Sequence, residues 1–147
     1  MVEELEFVVP GQPTGKGRPR FSRISGRAYT PKKTAMYENL FLTAFTEKYP
    51  EWDPTEKPVI LTMHAYYAIP KSFSRKKHEM AINMLQSPIV VPTKKPDLDN
   101  IIKCIDGLNG IAWKDDSQVI KITAMKHYSE SPSLVVKIVI PDEEMAV

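Results

Sequence analysis

Apolar residues cluster along the chain in short runs, and their spacing assigns most of the elements. Leu5 to Val9 reads as a short strand closed by Pro10-Gly11, and a Gly/Pro/Arg-rich loop from Gly11 to Arg27 follows. Thr30 as N-cap and Pro31 at the first helical position open a helix that runs to about Lys48. Met36, Leu40, Phe41, Ala44 and Phe45 form its apolar stripe at helical spacing. Val59 to Ile69 is β-rich and predicts a long strand. Ser72 or Ser74 opens a second, more polar helix to about Leu85, and a loop with Pro88, Pro92 and Pro96 follows. A third helix covers roughly Leu98 to Leu108, with Leu98, Ile101, Ile102, Ile105 and Leu108 on its apolar face and Gly107 or Gly110 ending it. Val119 to Tyr128 and Leu134 to Ile140 are β-rich runs separated by Ser129, Ser131 and Pro132, a pattern that predicts an antiparallel hairpin. The expected fold is α/β of the α+β type: a small mixed or largely antiparallel sheet with helices on one side.

Composition narrows the class. The 147 residues suit one domain, 1–147, large enough to bury a core without disulfides. Cys104 is the sole cysteine, which excludes an intrachain disulfide and a cysteine-rich zinc site. The acidic start of the chain does not read as a signal peptide, and no run approaches the roughly 18 apolar residues of a membrane helix. The expectation is a soluble protein of the cytoplasm with no membrane partner. The net charge of +2 is unevenly spread, since six acids lie at the two ends and the interior holds twelve acids against all twenty bases. A basic interior surface suits a partner made of phosphates, and a mixed solvated surface is the plain alternative.

The segments Lys94-Lys95-Pro96-Asp97-Leu98-Asp99-Asn100 and Trp113-Lys114-Asp115-Asp116-Ser117-Gln118 hold the candidate chemistry. Asp97 and Asp99 flank the start of the third helix, and Asp99 and Lys103 are four residues apart on one face. The opposite, apolar face would anchor that helix in the core. A short loop through Gly110 and Trp113 would bring Asp115 and Asp116 back beside it, so that three or four carboxylates converge. Such a set suits magnesium, which takes hard oxygen ligands and leaves positions for water and phosphate. A nearby lysine can neutralise charge developing on a phosphate. The structural alternatives are specific: Asp97 or Asp99 as a helix cap, Asp99–Lys103 as a surface ion pair, and Asp115-Asp116-Ser117 as a turn.

The spacing Asp97-x-Asp99-Asn100-x-x-Lys103, followed by Gly110-x-x-Trp113-x-Asp115-Asp116-Ser117-Gln118-Val119, resembles the RusA family of Holliday junction resolvases. Pro10-Gly11-x-Pro13 and Lys16-Gly17-Arg18-Pro19-Arg20 resemble that family's basic N-terminal loop, and the likeness runs from about Phe7 to Ile140. The resemblance implies a homodimer that binds four-way DNA junctions and makes paired nicks with Mg2+, for which Mn2+ would substitute. It implies that Asp97, Asp99 and Asp116 are the functional aspartates and metal ligands, with Lys103 the functional lysine. Asp115 also matches, as a further ligand or as a group orienting one, and Asn100 fits in a supporting role. Ligatable 5′-phosphate and 3′-hydroxyl ends, and a bacterial or phage-infected cell, follow from the same likeness.

Between Gly11 and Lys33 lie Lys16, Arg18, Arg20, Arg23, Arg27, Lys32 and Lys33 and no acid. These, with Lys94 and Lys95 just before the first aspartates, are the expected DNA contacts. Phe21 either stacks on exposed bases or packs on the sheet, and Tyr29 is expected to pack. A second basic group, Lys71, Arg75, Lys76 and Lys77, opens the second helix. His64, His78 and His127 are too scattered for a zinc site, Cys104 reads as a packing residue, and Trp113 as an anchor for the Asp115-Asp116 loop. The third helix is a candidate dimer face. A non-catalytic nucleic-acid-binding protein and a less selective metal-dependent nuclease are the competing readings.

Overall fold

In the computed structural model, which describes residues 2–17, 20–29, 31–83 and 90–142, the elements follow in this order. Strand β1 (Glu3–Pro10) leads to the short strands β2 (Arg20–Phe21) and β3 (Ala28–Tyr29), helix α1 (Lys32–Lys48) and strand β4 (Val59–Ala68). Helices α2 (Arg75–Ile82) and α3 (Leu98–Ile102) come next, and α3 continues as a 3-10 turn over Lys103–Leu108. A second 3-10 turn (Asp116–Gln118) precedes strands β5 (Val119–Ser129) and β6 (Ser133–Ile140).

Alternation decides the sheet. β1 buries Leu5, Phe7 and Val9; β4 buries Val59, Leu61, Met63, Ala65 and Tyr67; β6 buries Leu134, Val136, Ile138 and Ile140. Because side chains alternate across a strand, these residues line one face, and the helices cover that face. Phe41 and Phe45 of α1 meet Phe7 edge-on at 5.4 and 5.5 Å between ring centres. Ile101, Cys104, Ile105 and Leu108 join the same core from the α3 segment. Phe73, just before α2, meets Tyr128 edge-on at 5.6 Å.

The strand order is β1-β6-β4-β5, with β1/β6 and β6/β4 antiparallel and β4/β5 parallel. The expected hairpin between the last two strands is therefore corrected. β5 and β6 run antiparallel, but β4 lies between them. Residues 130–132 are long enough to step across one strand, a distance of about 10 Å. β5 then takes the edge, where four of its residues in a row are exposed, and β6 takes an interior position.

Two helices also differ from expectation. α1 begins at Lys32 with Pro31 as its N-cap, and Thr30 lies outside the described residues. Its buried face is Thr34, Tyr37, Phe41 and Phe45, while Met36 and Leu40 are exposed. Tyr37 supplies inward volume along the same 3.6-residue line as Phe41 and Phe45, and this rotates Met36 and Leu40 outward. α2 is capped by the Ser74 side chain, which accepts from the Lys77 amide at 3.2 Å. Its expected extension to Leu85 and the loop at Pro88 fall on residues 84–89, outside the described residues.

On the sheet face away from the helices, Nδ1 of His64 lies 2.7 Å from Nε2 of His127, and the Tyr66 ring stacks on His127 at 4.8 Å. Burial, with a smaller contribution from His64, holds the His127 pKa below its ordinary 6.5. The unfolded chain therefore takes up this proton first as the pH falls. The stability linked to His127 is full above about pH 6.5 and is lost as the pH falls to its lower folded value. The urea midpoint should decline between pH 7 and pH 5, and His127→Gln should shallow that decline. An identical slope in the variant would remove His127 as its source.

Candidate functional site

Helix α3 is held by its apolar side: Ile101, Ile105 and Leu108 are buried, and Leu98 and Ile102 pack against the core. The tighter 3-10 geometry beyond Ile102 brings residues three apart into line, keeping Ile102, Ile105 and Leu108 on one side. Gly110, at φ +79°, then turns the chain in a backbone region that other residues rarely adopt. The exposed edge carries Asp97, Asp99 and Lys103. Lys103 Nζ lies 3.9 Å from Asp99 Oδ2 with both side chains more than half exposed, so the pair is weak. Asp97 occupies the N-cap of α3, yet its side chain accepts no capping bond. A capping role, the plain alternative for this residue, is thus absent.

The second aspartate segment divides its two acids. Asp115 caps the Asp116–Gln118 turn: its carboxylate accepts from the Ser117 amide at 3.1 Å and from the Ser117 hydroxyl. Those bonds hold the Asp115 pKa below the ordinary carboxylate value, the hydroxyl contributing most. The Gln118 side chain closes the box by accepting from the Asp115 amide at 2.7 Å, and donates to the Thr55 and Lys57 carbonyls at 2.7 and 2.9 Å. Asp116 instead accepts from the indole N–H of Trp113 at 2.8 Å through Oδ1. Trp113 is fully buried and its neighbour Lys114 donates its amide to the Thr55 carbonyl, so the anchor expected of this tryptophan is present.

Each of these carboxylates is a hard oxygen donor of the kind a magnesium-class cation takes. Among the described residues, however, no three Asp, Glu, His or Cys side chains come together closely enough to hold a metal ion. The expected convergence of three or four carboxylates is not formed within the chain. Asp116 is held by Trp113, and Asp115 is engaged with Ser117. Magnesium is usually bound through one or two carboxylates with waters and substrate phosphates rather than in an all-protein cage. In that sense Asp97 and Asp99 fit as donors, and Asp116 is a third carboxylate of the same chemistry.

The residues flanking Asp97 are pinned from two sides. Lys126 of β5, at a core-side register position, donates its ammonium group to the carbonyls of Lys94 and Pro96 at 2.6 and 2.9 Å. Nothing in the local sequence marks this lysine, because the bonds depend on β5 lying beside β4. Across the segment, Gly15 packs so closely that a Cβ would stand 2.7 Å from Pro96 Cβ and 3.1 Å from Asn100 Cβ. Beside it opens a cleft of about 960 Å³ whose lining includes Arg20, Lys33, Lys95, Asp97 and Asn100. Cations and an open carboxylate thus share one concavity.

The basic loop contains structure that the sequence did not signal: β2 and β3 pair as a small hairpin, Arg20 with Tyr29 and Phe21 with Ala28. It stands out from the domain, with Phe21 and Tyr29 exposed and Ile24 fully so. Tyr29 does not pack on the main sheet, contrary to expectation. Arg20, Arg23, Arg27, Lys32, Lys33, Lys94 and Lys95 are exposed, and Arg18 lies outside the described residues. Lys16 differs from the rest, with its ammonium group held by Asp106 at 2.9 Å and near Glu38 at 3.3 Å. Cys104 is buried and donates to the Thr14 carbonyl, and burial pushes its thiol up to about 12, which removes it as a nucleophile at neutral pH.

The family model described as Endodeoxyribonuclease RusA matches residues 10–139. The chain is also 36% identical over 139 residues to Uncharacterized protein YqaN of Bacillus subtilis (strain 168), covering 91% of this chain and 94% of that one. No helix among the described residues is long and apolar enough to cross a membrane. The family match includes the basic loop and both aspartate segments, and the chain belongs to the RusA family of endodeoxyribonucleases, which makes it a nuclease.

Proposed function

We propose that the protein is a magnesium-dependent endonuclease that resolves four-way DNA junctions by paired, symmetric nicks, working as a homodimer. The observation that carries this reading is Asp97, exposed at a helix N-cap and making no capping bond, beside Asp99 and Lys103 on the open edge of a core-anchored helix. Carboxylates held rigidly and left open are suited to a ligand rather than to the fold. Asp97, Asp99 and Asp116 would hold the ion. A bound divalent cation supplies a Lewis acid for the scissile phosphate and a lowered pKa for the attacking water, and Mn2+ would substitute for Mg2+.

The chain's own residues have separable roles. Lys103 offers an exposed ammonium group for the charge that builds on the phosphate. Water oxygen bonds to phosphorus as the bond to the 3′ oxygen breaks, leaving 5′-phosphate and 3′-hydroxyl ends. Arg20, Lys33 and Lys95 line the cleft beside Asp97 and would track the strand's phosphates, with the exposed Arg23, Arg27, Lys32 and Lys94 as further phosphate contacts. Phe21, exposed on its hairpin, is free to stack on bases opened at the branch. Asp115, engaged as a cap, supports the Asp116 turn. The proposed setting is DNA recombination and repair in the cytoplasm of a bacterial or phage-infected cell, with a phage or prophage origin.

A labelled four-way junction, assayed with magnesium, with EDTA and against linear duplex and flap controls, tests this reading. Symmetric nicks confined to the junction are expected. Asp99→Asn should slow nicking about a hundredfold or more, in keeping with several kcal/mol of lost transition-state stabilisation, while junction binding persists. Wild-type protein that binds junctions without cutting them would sink the enzyme reading; equal cutting of all three substrates would sink the selectivity.

Trp113→Phe keeps an aromatic ring but removes the donor to Asp116 Oδ1. It should cost about 1–3 kcal/mol of stability in denaturant unfolding and slow nicking as well. A variant that nicks at the wild-type rate would show that Asp116 does not depend on this bond.

A further inference from the structure

Lys16 lies in the most basic stretch of the chain and lines the same cleft as Arg20 and Lys33, yet its ammonium group is already held by two carboxylates. It donates to Asp106 Oδ2 at 2.9 Å, on the turn that continues α3, and lies 3.3 Å from Glu38 Oε1 on α1. The Glu38 contact is an ion pair without hydrogen-bond alignment, and no other donor among the described residues reaches that buried oxygen. Removing Lys16 would therefore leave that carboxylate oxygen without its cation.

The backbone on either side of Lys16 makes the same kind of attachment. The Lys16 amide donates to the Asn100 carbonyl at 2.9 Å, the Cys104 thiol to the Thr14 carbonyl at 3.3 Å, and the Gly17 amide to the Thr34 hydroxyl at 2.9 Å. Gly15 leaves no room for a side chain against Pro96 and Asn100. Four consecutive residues thus bind α1, α3, the turn after it and Pro96. The Asp106 bond also holds the Lys16 pKa above its ordinary value.

We propose that Lys16 is a positioning residue for the nicking reaction and not a DNA contact: it brackets the Leu98–Leu108 segment against α1 and so fixes Asp97, Asp99 and Lys103. This rests on the reading of those residues as the reaction's own. A phosphate contact at Lys16 would have to displace two carboxylates that already hold it, whereas Arg20 and Lys33, which line the same cleft as Lys16, have no such partners among the described residues.

The test uses the full chain and the variants Lys16→Met, Lys16→Arg, Asp106→Asn and the Lys16→Met/Asp106→Asn double. Three quantities are measured: single-turnover nicking of a saturated junction, junction affinity across salt concentration, and hydrogen–deuterium exchange over residues 97–108. Lys16→Met should slow nicking about tenfold to a hundredfold, the scale set by small misplacements of reacting groups. Its junction affinity should stay within about twofold and its salt slope should be unchanged. Exchange over 97–108 should quicken, and Lys16→Arg should recover most of the rate.

Asp106→Asn removes a negative charge, so it separates the alternatives. Bracketing predicts the same rate loss as Lys16→Met, with the double variant no worse than either single. A phosphate contact predicts unchanged or tighter binding by Asp106→Asn at the wild-type rate. It also predicts weaker binding by Lys16→Met, with a salt slope reduced by about one, and that result would overturn the proposal. If Lys16→Met does not fold, Asp106→Asn and Glu38→Gln carry the test. If the wild-type protein does not nick junctions, the functional reading fails separately. Exchange over 97–108 then decides the bracket alone, and unchanged exchange in the folded variants overturns it.

Discussion

β5 runs parallel to β4, and a parallel neighbour cannot be reached by a tight turn. The chain must leave the end of β4, travel back along the domain and enter β5 from its starting end. Every candidate reaction residue lies on that return path: Asp97, Asp99 and Lys103 on α3 and the turn after it, Asp116 on the turn that opens β5. The same pairing places Lys126 over the carbonyls of Lys94 and Pro96, and so fixes the approach to Asp97. A simple hairpin of β5 with β6 would leave β5 off the β4 edge and Lys126 without those partners.

The return path is rigid because its apolar side chains have a destination. Ile101, Cys104, Ile105, Leu108 and Trp113 all enter the core under the sheet. Burying each larger one is worth about 1.5–3 kcal/mol, enough together to hold short helical pieces that would not persist alone. The carboxylates on the outer side add little to that stability. Asp97 makes no cap, and the Asp99–Lys103 pair is too exposed to contribute more than about 1 kcal/mol. Stability and chemistry are divided between the two sides of one segment, and that division leaves the outer side open for a ligand.

Charge is divided in a comparable way. Arg20, Lys33 and Lys95 gather beside Asp97 around a cleft, where positive charge offsets the repulsion between carboxylates and a DNA strand. Lys16, from the same basic run and on the same cleft, is held by two acids on different elements. A count of basic residues treats these lysines and arginines alike. Their partners separate them: a cation already held by two carboxylates is part of the scaffold, and an exposed one is available to phosphate.

The sequence by itself determined the parts that depend on near neighbours. Helical spacing marked Ile101, Ile105 and Leu108 as the buried side of α3, and the β-rich runs at Val59, Val119 and Leu134 became strands. Motif spacing identified the family, since both aspartate segments are contiguous in the chain. Tertiary structure alone decided the rest. It inserted β4 between β5 and β6, turned Met36 and Leu40 of α1 outward, and raised the β2–β3 hairpin with Tyr29 exposed. It also assigned Lys16 to Asp106. The physical reason is the range of the interactions. Periodicity and capping are set within a few residues, whereas strand order and the partner of a long charged side chain are set by what packing brings alongside, here up to ninety positions away.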